Sequence, residues 1–136
     1  MLVVLDTNIL LSALRAERSP PAVIVDAWAA GRFGLATSLA QIAEFKRAAR
    51  YPKLRPYLPR GAVGRLVNGL RSAEVLFKRL PGGVDAPDPN DAHLIATAIL
   101  ASADFLITGD KALLSMKRIG VTPIITAQRF AAILAH

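Results

Sequence analysis

The sequence contains no cysteine. That absence excludes a disulfide framework, thiol nucleophiles and thiolate zinc sites, and it fits a reducing compartment. Histidine is nearly absent too: His93 and His136 are the only two, which leaves little for a histidine zinc site or a His-based triad. Long apolar runs are also missing. The longest, Leu94 to Ala103, contains Thr97 and Ser102 and is closed by Asp104, far short of the ~20 residues that span a bilayer. At the start, Met1 to Leu5 runs straight into Asp6 with no basic leader, and so short a run does not make a signal-peptide core. No Gly-x-Gly-x-x-Gly follows this first apolar run, so a dinucleotide site is not indicated. The expectation is a soluble, cytoplasmic protein with no membrane segment.

What is present fits one compact domain over residues 1–136, since 53% hydrophobic residues suffice for an ordered core. The net charge is +7, and it is unevenly spread. Ten basic residues lie between Lys46 and Arg79 against a single acid, Glu74, whereas the segment from Asp85 to Asp110 is rich in acids. A basic half beside clustered carboxylates suits a polyanion held next to bound cations.

Short apolar runs alternate with helical patterns. Leu2 to Leu5, Phe33 to Ala36, Phe105 to Ile107 and Pro123 to Ile125 read as strands. Helices are predicted over Ile9 to Leu14, Ala22 to Ala30, Ser38 to about Arg50, Ala62 to Arg79, Asp88 to about Ser102, a short stretch after Asp110, and a last one capped by Thr126. Ser38 and Gln41 match a capping box, and Asp88-Pro89 matches a cap followed by a first-turn proline. The alternation predicts an α/β fold with a mainly parallel sheet.

Two aspartates follow apolar strands directly: Asp6 after Val3-Val4-Leu5 and Asp110 shortly after Phe105-Leu106-Ile107. Ligands of open α/β sheets bind outside the carboxyl ends of the strands, and right-handed crossovers gather those ends at one edge. Asp6 and Asp110 are therefore expected to be neighbours. Glu44 and Asp91 sit in helices that begin from loops on the same edge, and helical side chains tilt toward the N-terminus. Four carboxylates in one pocket repel one another unless a hard divalent cation joins them. Magnesium or manganese suits such oxygen ligands and can promote phosphodiester hydrolysis without a protein nucleophile.

Val-Leu-Asp-Thr-Asn-Ile-Leu (4–10), Gln-Ile-Ala-Glu-Phe (41–45), Asp-Pro-Asn-Asp-Ala-His-Leu-Ile-Ala-Thr-Ala (88–98) and Leu-Ile-Thr-Gly-Asp (106–110) resemble the ordered motifs of PIN domains. The continuation from Lys46 to Leu54 resembles the VapC-like toxin components of toxin–antitoxin pairs. The resemblance covers nearly the whole chain. It implies a three-layer α/β/α sandwich, a Mg2+- or Mn2+-dependent ribonuclease, a homodimer and inhibition by a small antitoxin protein. It assigns the acidic site, as catalytic and metal-binding residues, to Asp6, Glu44, Asp91 and Asp110. Asn8 is the polar helper after the first acid and Thr108 the hydroxyl before the last. Some members carry a further acid after the fourth; here Lys111 to Ser115 contains none, and Asp88 is the nearest substitute. Lys46, Arg47, Arg50, Lys53 and Arg55 follow Glu44 and form the expected RNA-contact surface.

Other roles compete at several of these positions. Asp6, Asp88 and Asp110 are suited to capping helices, Ser38 likewise, and Asp91 suits a helix dipole. Trp28 reads as core and His93 as structural. A phosphatase of the haloacid-dehalogenase kind also places an Asp after strand one, but needs a second acid two residues later, where this chain has Asn8. A PIN-like module that binds RNA or a partner without cutting is the alternative from a different class.

Overall fold

Four apolar residues in a row have no polar face, so Leu2–Leu5 needs cover on both sides. The computed structural model describes residues 1–136, and in it this run is β1, with Val3, Val4 and Leu5 buried. β1 is flanked on one side by β2 (Gly34–Ser38) and then β3 (Val75–Phe77). On the other side come β4 (Phe105–Ile107), β6 (Thr122–Ile125) and β5 (Arg118–Ile119). Every neighbouring pair is parallel except β5 with β6.

Seven helices accompany the strands: α1 (Thr7–Arg15), α2 (Pro20–Ala29), α3 (Leu39–Ala49), α4 (Ala62–Arg71), α5 (Ala92–Ala101), α6 (Lys111–Met116) and α7 (Ala127–Leu134). Strand side chains alternate between faces. Val3 and Leu5 join a core with Leu10, Ile24, Phe45, Leu70 and Phe130, drawn from α1, α2, α3, α4 and α7. Val4 joins a second core with Leu94, Ile95 and Ala98 of α5 and Leu113 of α6. Helices therefore cover both faces of a mainly parallel sheet, which is the expected α/β/α sandwich.

Two local expectations are corrected and one further strand is found. The helix foreseen from Ala62 to Arg79 stops at Arg71, and Val75–Phe77 is instead β3, paired with Ala36–Ser38. Pairing along the open edge of β2 outweighs the local helical pattern there, and Glu74 anchors the switch. Its Oε1 accepts the Leu35 N–H at 2.7 Å and the Trp28 indole N–H at 3.2 Å. The helix foreseen from Asp88 begins as a single 3-10 turn, Pro89–Asp91, with α5 starting only at Ala92. Finally, Arg118–Ile119 is a short strand that turns back on Thr122 through Gly120, whose φ is +56°.

The capping box is half realised. Ser38 Oγ accepts the Gln41 N–H at 3.1 Å, but the buried Gln41 side chain turns inward. It donates to the Leu5 carbonyl at the end of β1 and accepts from Thr37 Oγ1 at 2.5 Å. This amide ties α3 to the strand end that precedes Asp6. Gln41→Leu should lower unfolding stability by roughly 1–3 kcal/mol, because it strands a carbonyl and a hydroxyl in the interior. Urea unfolding curves that overlay those of the wild type would contradict this. No helix is long and apolar enough to cross a membrane.

Candidate active site

The parallel register Leu5↔Ile107 brings the ends of β1 and β4 side by side. The Asp6 N–H donates to the Ile107 carbonyl at 2.9 Å, which extends the ladder by one residue and fixes the Asp6 backbone. The residue is only 4% exposed. Oδ2 accepts from Thr108 Oγ1 at 2.6 Å, and Oδ1 accepts the Asn8 N–H at 3.3 Å. Asp6 therefore does cap α1, and it also faces the sheet edge. Burial pushes its carboxyl above the usual range; the bonds from Thr108 and Asn8 oppose this, and the charges of Glu44 and Asp110 add to it.

Thr108 is a bridge. While donating to Asp6, its buried oxygen accepts the Asp110 N–H at 3.0 Å. One hydroxyl thus sets the spacing of two strand-end acids. Asp110 Oδ1 caps α6 by accepting the Ala112 N–H at 2.8 Å, which leaves Oδ2 for a ligand.

Glu44 projects from the middle of α3 and is held at both oxygens. Oε1 accepts from Thr7 Oγ1, and Oε2 lies 3.1 Å from His93 Nε2. Burial raises its carboxyl, but the bonds from His93 and Thr7, with the charges of His93 and Arg47, outweigh that and hold it below the usual value. Asp91 has the opposite surroundings. At the end of the 3-10 turn it makes no side-chain cap bond. Burial first, and then the charges of Asp6, Asp88, Asp110 and Glu44, push its carboxyl up to about 6. The four acids thus lie near enough for their charges to act on Asp91, and of the four Glu44 lines the adjoining crevice.

The other expected residues divide. The exposed Asp88 caps the 3-10 turn by accepting the Asn90 N–H at 2.9 Å, and it adds negative charge beside Asp91. Asn8 contributes its backbone N–H to Asp6 while its side chain is exposed. Ser38 is a buried cap. Of the five cations, Arg47 lies beside Glu44 in a crevice of about 420 Å³ with Tyr51, Asn90 and His93. Lys46, Arg50 and Arg55 line a different groove, and Lys53 sits apart beside Tyr51 and Pro52.

His93 is the residue that sequence reasoning missed. Its side chain is 14% exposed, and its contact with Glu44 is the one acid–base side-chain pair within 4 Å in the molecule. Its Nδ1 is buried without a hydrogen-bond partner. The sole signal in the sequence is its position two residues after Asp91.

No three of these acids and histidines are already gathered as a ready-made ligand set. The donors nevertheless fit a hard divalent cation: they are carboxylate oxygens, and burial first, with mutual repulsion added to it, raises both Asp6 and Asp91. Positive charge placed among them would relieve it.

No curated protein matches the chain in a sequence comparison. A family model described as the PIN domain matches residues 2–112, from β1 into the start of α6, and that span holds all four acids. PIN domains are in general nucleases, hydrolases that use divalent metal ions. With its sheet, its strand-end aspartates and this match over most of its length, the chain belongs to the PIN-domain family.

Proposed function

We propose that this protein is a metal-dependent endoribonuclease that hydrolyses RNA phosphodiester bonds, and that it is the toxin of a toxin–antitoxin pair. The observation that carries the nuclease reading is the pair of strand-end acids, Asp6 and Asp110, tied together by Thr108, with Asp91 near enough to feel their charges. Perturbed carboxylates converging on the ligand-binding edge of an α/β sheet are a functional arrangement.

Asp6, Glu44, Asp91 and Asp110 would hold Mg2+ or Mn2+. Such a cation, when bound, activates water and stabilises charge on the phosphoryl oxygens. The protein's own share is orientation. Thr108 fixes Asp6 against Asp110, while Thr7 and His93 hold the two oxygens of Glu44 in place. Arg47, beside Glu44, offers a cation to a phosphate entering the crevice. The reaction joins a water oxygen to phosphorus and breaks the bond to the ribose oxygen.

The test is cleavage of single-stranded and structured RNA with Mg2+ or Mn2+ and with a chelator. No cleavage with either ion would leave the non-catalytic RNA- or partner-binding reading. Thr108→Val keeps the side chain's volume but removes both bonds of the bridge. It should weaken Mn2+ binding, measured by calorimetry, by about 10–100-fold, as loss of a group that orients a metal ligand does. Thr108→Ser should restore most of it. Equal affinity of the Val and Ser variants would show that the hydroxyl does not matter.

The toxin reading, with its small antitoxin, its homodimer and its cytoplasmic site of action, is supported by the resemblance of Lys46 to Leu54 to VapC-like proteins. Expression of the chain alone should arrest bacterial growth, and co-expression of a small open reading frame adjoining its gene should relieve the arrest.

A further inference from the structure

Helix α3 carries two unlike faces. At about 100° per residue, Ala40, Glu44, Arg47, Ala48 and Tyr51 share one side, and with Asn90 and His93 these line the crevice on the Glu44 side of the acidic site. Lys46, Ala49 and Arg50 lie on the opposite side, where they meet α4 across a groove of about 800 Å³, the largest in the molecule. Arg55, Arg60 and Arg71 complete its cationic rim, Val63 and Val67 contribute an apolar lining, and no acid lines it. Since the one acid–base side-chain pair within 4 Å is His93 with Glu44, none of these five cations has an acidic partner. Like charges converging without a counter-ion repel one another, and a polyanion removes that cost.

The two cavities are joined by an open ridge. Arg50, Ala43 and Arg47 are exposed and follow one another around the outer side of α3, from groove to crevice. Ala43 presents only a methyl group. The groove lining contains no aromatic ring, so it offers no stacking platform for bases and suits phosphates instead.

We propose that an RNA strand bound at the acidic site, in the crevice beside Glu44, continues over α3 into this groove, where Lys46, Arg50, Arg55, Arg60 and Arg71 hold the phosphates of its flank. The inference rests on the ribonuclease reading and adds to it a substrate requirement. A helix is about 10–12 Å across with its side chains, so crossing it takes on the order of three to five nucleotides at the spacing of phosphates along a strand. Binding in the groove is insensitive to base identity, and short oligonucleotides cannot reach it from the crevice.

The experiment measures fluorescence anisotropy in a chelator with oligouridylate and oligoadenylate, each twelve or three nucleotides long. The wild type should bind both twelve-mers alike and far more tightly than either three-mer. The triple variant Arg55→Gln, Arg60→Gln, Arg71→Gln should bind the twelve-mers at least tenfold more weakly. Its salt slope should be lower by about two, the share of three single-strand phosphate contacts. A control with equal charge loss outside the groove, Lys78→Gln, Arg79→Gln, Arg118→Gln, should change affinity less than threefold. Melting temperature verifies folding, and the groove variant should melt no lower than the wild type because repulsion has been removed. Equal weakening by both triples overturns the groove, as does a twelve-residue oligoglutamate that displaces the probe better than oligouridylate does. Cleavage in Mn2+ is scored separately. Groove-dependent binding without cleavage by the wild type overturns the ribonuclease reading and keeps the groove, whereas cleavage with groove-independent binding does the reverse.

Discussion

Asp6→Asn should reduce cation-stimulated RNA cleavage by more than ~100-fold, beyond the 10–100-fold typical of groups that only orient a metal ligand, while the protein still folds. The amide has the shape of the carboxylate. Its oxygen can accept the Asn8 N–H, and its nitrogen can donate to Thr108 Oγ1, so the bonds that place the side chain have replacements. What is lost is negative charge in a site that burial and neighbouring acids already disfavour for a carboxylate. The variant should therefore melt at or above the wild-type temperature without metal. Wild-type cleavage rates from purified, folded Asp6→Asn would refute a mechanism centred on this acid.

The second large effect joins metal, pH and stability. The Asp91 carboxyl is pushed up to about 6 from an ordinary 3.8. Between those values the folded protein holds a proton that the unfolded chain has released, so metal-free stability falls as pH rises through that window. Asp6 shifts the same way, whereas Glu44, held below its usual value, acts oppositely and loses its contribution as pH falls. For the half-exposed Asp91 the loss is about 1 kcal/mol after allowance for solvent screening. Asp91→Asn should remove it and raise the metal-free melting temperature at pH 7.5 by roughly 3 °C. Mn2+ at about a hundred times its dissociation constant should stabilise the wild type by about 2.7 kcal/mol, or roughly 10 °C. In Asp91→Asn that gain should fall by more than half. The variant is thus more stable than the wild type without metal and less stable with it. Calorimetry at pH 4.5 and 7.5, with and without Mn2+, shows whether the curves cross. A parallel shift of all of them would rule out a cation among these acids.

Much of this architecture was readable from residues alone, for reasons that the structure makes plain. Leu2–Leu5 and Phe105–Ile107 are unbroken apolar runs, each followed within a few residues by an aspartate, because central parallel strands are covered on both faces and end at a polar crevice. Ser38 and Thr126 announce their helices because a cap depends on local sequence only. Val75–Phe77 was hidden because an edge strand of three half-buried residues owes its conformation to β2, not to its own pattern. His93 was hidden because its partner, Glu44, lies 49 residues away on another helix. The separation of Arg47 from Lys46 and Arg50 was latent in the turn of a helix, yet a run of cations reads as one patch until its two sides meet different neighbours.

The pairing of β1 with β4 also has a consequence in time. Asp6 and Thr108 are bonded across 102 positions, and at a synthesis rate of 5–20 residues per second their codons are read about 5–20 s apart. Until β4 emerges, β1 has β2 on one side at most, and the first acid has no neighbour across the sheet. An emerging chain therefore has no assembled carboxylate crevice for most of its synthesis. On the ribonuclease reading proposed above, the chain cannot cut the message that encodes it until that message has largely been read.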